Sequence, residues 1–147
     1  MDSFYGLNNT AIIPKVKTVR IANKGVIKKA DIKFRDGLNV IIGKNATGKT
    51  TVINALKEKY AGKELTDFSS WEKEMLLLSG LQNTVQNKCI LVDGLFSQLE
   101  TEQINKIAKE LEKSGNQMIA TFSDVPGIRR IKANFIDTGS FELNTGG

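Results

Sequence analysis

Two stretches of this chain carry residue types whose spacing can handle a phosphate. The first, Gly43-Lys44-Asn45-Ala46-Thr47-Gly48-Lys49-Thr50, fits the pattern G-x-x-x-x-G-K-[ST] without a mismatch and runs on into Thr51. Its glycines let backbone N–H groups turn inward as an anion nest, and a helix opening behind them adds partial positive charge. In such a loop the lysine, Lys49, reaches the β and γ phosphates, and the hydroxyl of Thr50 can ligate Mg²⁺. A glycine turn that merely caps a helix is the bland alternative; the complete motif between a strand and a helix marks a nucleotide site. The second stretch is Ile90-Leu91-Val92-Asp93, an apolar run closed by a carboxylate that can hold Mg²⁺ through its water shell. Alone such a run is common, and its weight comes from the pairing with the phosphate loop.

Both stretches need elements that position them. Leu38–Ile42 is a short apolar strand leading into the loop, and Thr50–Lys59 follows as a helix with Val52, Ile53 and Leu56 on one side. Upstream, Val16–Ala22 and Ile27–Phe34 read as two strands turning at Asn23-Lys24-Gly25. In the second of these, Ala30, Ile32 and Phe34 alternate with Lys29, Asp31 and Lys33, the period of a half-buried strand. Residues 1–14 show no period and read as a loosely packed lead-in. Residues 60–68 are a short polar connector. Trp71–Gln86 reads as a largely buried helix, since Met75, Leu76, Leu77, Leu78, Leu81 and Val85 cover more than one face. Glu100–Lys113 is amphipathic through Ile104, Ile107, Ala108 and Leu111, with Gly115 placed to end it. Met118–Thr121, Phe135–Asp137 and Phe141–Leu143 are the remaining strands. Strands alternating with helices after residue 38 predict an α/β fold with a mainly parallel central sheet, fronted by an N-terminal antiparallel hairpin.

Composition narrows the class. With 147 residues, 40% hydrophobic and 25% charged, the chain is one ordinary domain able to bury a core. No run approaches the ~20 apolar residues of a membrane span, and no secretory signal pattern opens the chain, so no membrane partner is expected. The single cysteine, Cys89, cannot form an internal disulfide, and a reducing cytoplasm is its simplest setting. The absence of histidine excludes histidine-based catalysis. Between residues 15 and 35 eight cations face one carboxylate, Asp31, a net +7 against +5 for the whole chain, so the remainder is net −2. Lys15, Lys17, Lys28 and Lys29 are therefore candidate DNA phosphate contacts; a solvated strand surface that keeps the protein soluble is the equal alternative.

The stretch KTVRIANKGVIKKADIKFRDGLNVIIGKNATGKTTVINAL resembles the N-terminal part of the ABC-type P-loop ATPases of the SMC/RecF group, and CILVDGLFSQLE resembles their Walker B strand and D-loop. Ser97-Gln98-Leu99-Glu100 stands at the "SxLD" position, and also has the spacing of a capping box; the two are compatible. The resemblance implies a domain that binds ATP with Mg²⁺ and pairs two subunits across the nucleotide, as a homodimer or with a fuller ATPase. It also requires a signature sequence facing the partner's nucleotide. Leu78-Ser79-Gly80-Leu81-Gln82 imitates one, but Ser79 lies only 14 residues before Asp93. The better match is Phe68-Ser69-Ser70-Trp71-Glu72-Lys73, with Ser69 placed 24 residues before Asp93; Ser69 and Ser70 equally suit a helix N-cap. Only 18 residues separate Thr50 from Ser69, where the family carries a glutamine loop, a helical lobe and often a coiled-coil arm. No glutamine occurs before Gln82, so the arm and the glutamine loop are missing between 60 and 68.

The family's water-activating glutamate directly follows the Walker B aspartate; here that position is Gly94. Its switch histidine follows a threonine; here the pair is Thr121-Phe122. Such groups commonly contribute about 10²- to 10⁴-fold to rate. The expectation is a nucleotide holder with slow turnover. A DNA- or partner-stimulated ATPase and a DNA-binding module without nucleotide turnover are the rivals.

Overall fold

The computed structural model describes residues 11–44, 46–60, 87–93, 101–123 and 128–144. Within them the order is β1 (Ala11–Pro14), β2 (Thr18–Lys24), β3 (Ile27–Lys33), β4 (Gly37–Gly43), α1 (Lys49–Lys59), β5 (Lys88–Val92), α2 (Thr101–Ser114), β6 (Gln117–Ser123), β7 (Asn134–Asp137) and β8 (Glu142–Leu143). Single 3-10 turns occupy Ile128–Arg130 and Thr138–Ser140. The five-stranded core sheet has the order β1-β5-β6-β4-β7, and a second sheet has the order β2-β3-β8. In the core sheet β5, β6, β4 and β7 run parallel, and β1 is antiparallel to β5. The expected α/β class with a mainly parallel sheet and an antiparallel hairpin is therefore what the chain forms.

A parallel strand covered on both faces reads as a continuous apolar run, and β4 shows why. All seven of its residues are buried. Leu38, Val40 and Ile42 join one core with Ile90, Val92, Met118 and Ala120 and with Ile104, Ile107, Ala108 and Leu111 of α2. Ile41 points the other way, into a core with Cys89, Leu91 and Ile119, α1, and the inner face of the β2–β3 hairpin. Alternate residues of each strand thus serve opposite cores.

Tertiary burial, more than local preference, holds α1. After Lys49 its sequence runs through four β-branched residues, Thr50, Thr51, Val52 and Ile53, and no side chain caps it. An 11-residue helix of that kind is marginal in isolation. Val52, Ile53, Ala55 and Leu56 are buried, and each fully buried large apolar side chain contributes about 1.5–3 kcal/mol. The helix that must present Lys49 and Thr50 is fixed by the core beneath it.

One expectation changes. Residues 11–14, read from sequence as part of a loose lead-in, form β1, which pairs along β5 from Ala11 opposite Leu91 to Pro14 opposite Lys88. Ile13 is fully buried. Four residues are too few for a period to show, so the pairing was invisible in sequence. Residues 1–10, the connector at 61–68, the apolar segment 71–86 and residues 97–100 lie outside the described residues.

Candidate nucleotide site

Parallel strands place their C-terminal ends along one edge, where open α/β sheets carry their ligands. Along that edge stand Asp93 after β5, Phe122 near the end of β6, Gly43 at the end of β4, and Asp137 at the end of β7. The register sets Ile42 beside both Phe122 and Asp137. Beyond Gly43 the loop residues Lys44, Ala46 and Thr47 lead to Gly48, the N-cap of α1, so that Lys49, Thr50 and Thr51 fill its first turn. Asn45 lies outside the described residues.

The loop turns through two residues in the left-handed region, one of them a glycine. Ala46 takes φ 62° and Gly48 φ 108°. A side chain at Gly48 would be strained by that conformation, and its Cβ would sit 2.8 Å from Ile27 Cγ1 on β3. The first turn of α1 contains no acidic residue. Its first backbone bond runs from Val52 N–H to Gly48 O at 3.0 Å. An uncapped N-terminus with no acidic residue of its own favours an anion there.

The two sequence-predicted stretches meet. Thr50 Oγ1 donates to Asp93 Oδ2 at 3.0 Å, and Thr121 Oγ1 donates to Asp93 Oδ1 at 2.6 Å. Both carboxylate oxygens are thereby held. Thr121 and Asp93 face the α1 side of the sheet, as Ile119 and Leu91 do two residues earlier. Phe122, the next residue of β6, packs instead against the α2 core on the opposite face. Thr121 is 2% exposed, and its role went unread in sequence, since nothing local says that β6 lies beside β5.

Lys49 Nζ donates to Gly43 O at 2.6 Å, which leaves two ammonium protons for a ligand. Burial pushes the Lys49 pKa below the ordinary lysine value, and the Asp93 carboxylate partly opposes that shift. Hydroxyl and carboxylate oxygens are hard donors of the kind Mg²⁺ takes, and two of them suit a metal that completes its shell with phosphate and water. Among the described residues no cluster of three His, Cys, Asp or Glu forms a self-sufficient metal cage.

The lysines proposed from sequence as DNA contacts divide. Lys15 pairs with Asp36 at 2.8 Å, and Lys28 stands 3.8 Å from Glu142. Lys17 and Lys29 are exposed and make no ion pair among the described residues. Arg20 pairs with Asp31, and Lys24 pairs with Glu58 of α1, so part of the basic hairpin is neutralised locally. Ser69, Ser70, Trp71, Glu72 and Gly94 fall outside the described residues.

A glycine-bounded loop between strand and helix, with a carboxylate two strands away along the same sheet edge, defines a P-loop nucleoside-triphosphatase fold. The model of the AAA ATPase domain family matches residues 15–138, and the chain belongs to that family. It is 28% identical over 119 residues to the DNA replication and repair protein RecF of Streptococcus suis, in strains 05ZYH33 and 98HAH33. That alignment covers 73% of this chain and 33% of the relative, so the chain spans about a third of the RecF length. It is 42% identical over 41 residues to the DNA double-strand break repair Rad50 ATPase of Methanopyrus kandleri, covering 28% of this chain and 5% of that protein. These relatives place it with the SMC/RecF-like ABC-type P-loop ATPases. Among the described residues no helix is long and apolar enough to cross a membrane.

Proposed function

We propose that this domain binds ATP with Mg²⁺ and holds it, with slow or no turnover of its own, as a nucleotide-dependent association switch. The observation that carries the reading is the Thr50–Asp93–Thr121 hydrogen-bonded set beside the phosphate loop. Gly43 to Thr51 would embrace the phosphates, with Lys49 as counter-charge, and Thr50 and Asp93 would hold the metal, which would supply charge neutralisation. Slow turnover follows from what stands at the water-activating positions: Gly94 has no side chain, and Phe122 is committed to the opposite core. Association is with a second copy or with a fuller ATPase, through the segment containing Ser69, Ser70, Trp71 and Glu72. A cytoplasmic setting goes with this reading.

The relatives, which are DNA replication and repair proteins, favour a second reading, a DNA- or partner-stimulated ATPase in replication or repair. Exposed Lys17 and Lys29 would then meet DNA phosphates, a contact that could also operate without nucleotide turnover. One set of measurements separates these. Nucleotide affinity, molecular mass with and without Mg-ATP, and phosphate release are compared for wild type, Lys49→Ala and Gly94→Glu, each with and without DNA. The holder reading expects tight binding lost in Lys49→Ala, a mass increase with Mg-ATP, and phosphate release that rises only in Gly94→Glu. Brisk wild-type release on adding DNA supports the second reading, and no nucleotide binding by wild type ends both.

A further inference from the structure

The geometry points to the 3-10 turn after β7 as the back wall of the phosphate loop, with Thr138 a positioning residue that sets the loop through Thr47. The inference rests on the nucleotide reading above. Thr138 is 3% exposed, and its hydroxyl donates to Thr47 Oγ1 at 2.9 Å. Thr47 Oγ1 in turn donates to the Lys44 carbonyl at 2.6 Å. A hydroxyl has one proton, so the direction of this relay is fixed: with the Thr47 proton committed to Lys44, Thr138 supplies the second. Within the loop, Lys44 and Thr47 are thus tied together from behind, 91 residues away in sequence.

Sterics reinforce the relay. A Cβ placed on Gly43 would lie 2.0 Å from Thr138 Oγ1, 3.1 Å from Thr138 Cβ and 2.9 Å from Thr47 Oγ1. The first glycine of the loop is therefore required by Thr138, in addition to any demand from the ligand. The same turn reaches the other end of the loop, because Phe141 Cδ2 is 3.7 Å from where a Gly48 Cβ would stand. The turn is itself well fixed. Asp137 accepts from Gly139 N–H at 2.8 Å and from Arg129 Nη2 at 3.0 Å, and Phe141 N–H donates to Thr138 O at 3.0 Å. Asn144 N–H then ties the chain to Val26 O of the hairpin at 2.8 Å. A segment fastened to the hairpin thus holds the loop at Thr47, fills the space beside Gly43 and passes near Gly48.

The bland account is a buried threonine that satisfies its hydroxyl and contributes only to stability. Binding of a fluorescent ATP analogue with Mg²⁺ and thermal unfolding, measured on the same variants, decide between the two. Thr138→Val removes the bond to Thr47, and Thr47→Ala removes that bond and the one to Lys44; each is expected to weaken binding about tenfold. The double variant is expected to be no weaker than either, since both cut one relay. Thr138→Ser keeps the hydroxyl and is expected to bind within about twofold of wild type. In the stability arm, Gly43→Ala lowers the unfolding midpoint, and adding Thr138→Gly recovers part of the loss. Unchanged binding by Thr138→Val, with only a lowered midpoint, overturns the positioning role. Additive effects of Gly43→Ala and Thr138→Gly on stability overturn the contact itself. Should Thr138→Val not fold, Thr47→Ala against Thr138→Ser decides the binding arm. Absence of binding by wild type ends the nucleotide reading and Thr138's role in it, whereas binding by wild type with equal affinity in Thr47→Ala and Thr138→Val ends this inference alone.

Discussion

A carboxylate beside a magnesium-bound phosphate is useful only if its oxygens are aimed, and Asp93 is aimed from two directions. Thr50 holds one oxygen and Thr121 the other. Thr50 and Asp93 were legible in sequence because the phosphate loop gave each a place. The Thr121 contact was not, because it spans 28 residues and depends on β6 lying between β4 and β5. Groups that orient a metal ligand commonly affect metal affinity about ten- to a hundredfold. Thr121→Val keeps the shape and removes the hydroxyl, so Mg-ATP binding is expected to weaken by about tenfold while ATP binding in EDTA barely changes. Calorimetric titration with and without Mg²⁺ measures both. An equal loss in the two conditions would show that Thr121 supports the loop in general and leaves the metal untouched.

At the scale of elements, periodicity revealed those whose faces differ. α2 and β3 each bury one face, and both were readable from apolar spacing alone. β1 was not, and neither were the polar residues that staple strands together. Gln117, 1% exposed, accepts from Val16 N–H at 2.8 Å and donates to the carbonyls of Val16 at 2.8 Å and Arg35 at 2.9 Å. Asn39, fully buried in β4, donates to Arg35 O at 2.8 Å and accepts from Asn134 Nδ2 at 2.8 Å. In a sequence such residues look like interruptions of an apolar run; in the fold they satisfy backbone groups of Val16 in the β1–β2 connection and of Arg35 in the β3–β4 connection. Gln117→Leu would leave both polar groups of Val16 without this partner, while Arg35 O keeps Asn39. Each buried group left unpaired costs about 1–3 kcal/mol, so for two groups a loss of about 2–6 kcal/mol is expected in urea unfolding. A shift under about 1 kcal/mol would mean that the connection re-forms its bonds elsewhere.

For the molecule as a whole, the site edge is built from every layer: strand ends from the core sheet, a loop seated on α1, and a C-terminal turn anchored to the hairpin. Ligand binding there should therefore stabilise the entire domain. Cys89 provides the means to see it. It is the only cysteine, fully buried in the core shared by α1, the central sheet and the hairpin, and burial raises its thiol pKa well above the ordinary range. A protonated, inaccessible thiol reacts with a thiol reagent only when the core opens. Labelling of the native protein is thus expected to follow the unfolding equilibrium. A ligand at a hundred times its dissociation constant stabilises the folded state by about 2.7 kcal/mol, which corresponds to about a hundredfold slower labelling. Mg-ATP should produce that slowing in wild type and none in Lys49→Ala. Slowing that leaves the unfolding midpoint unchanged would localise the effect to the sheet around β5. Rapid labelling of the free protein would contradict the burial from which the prediction starts.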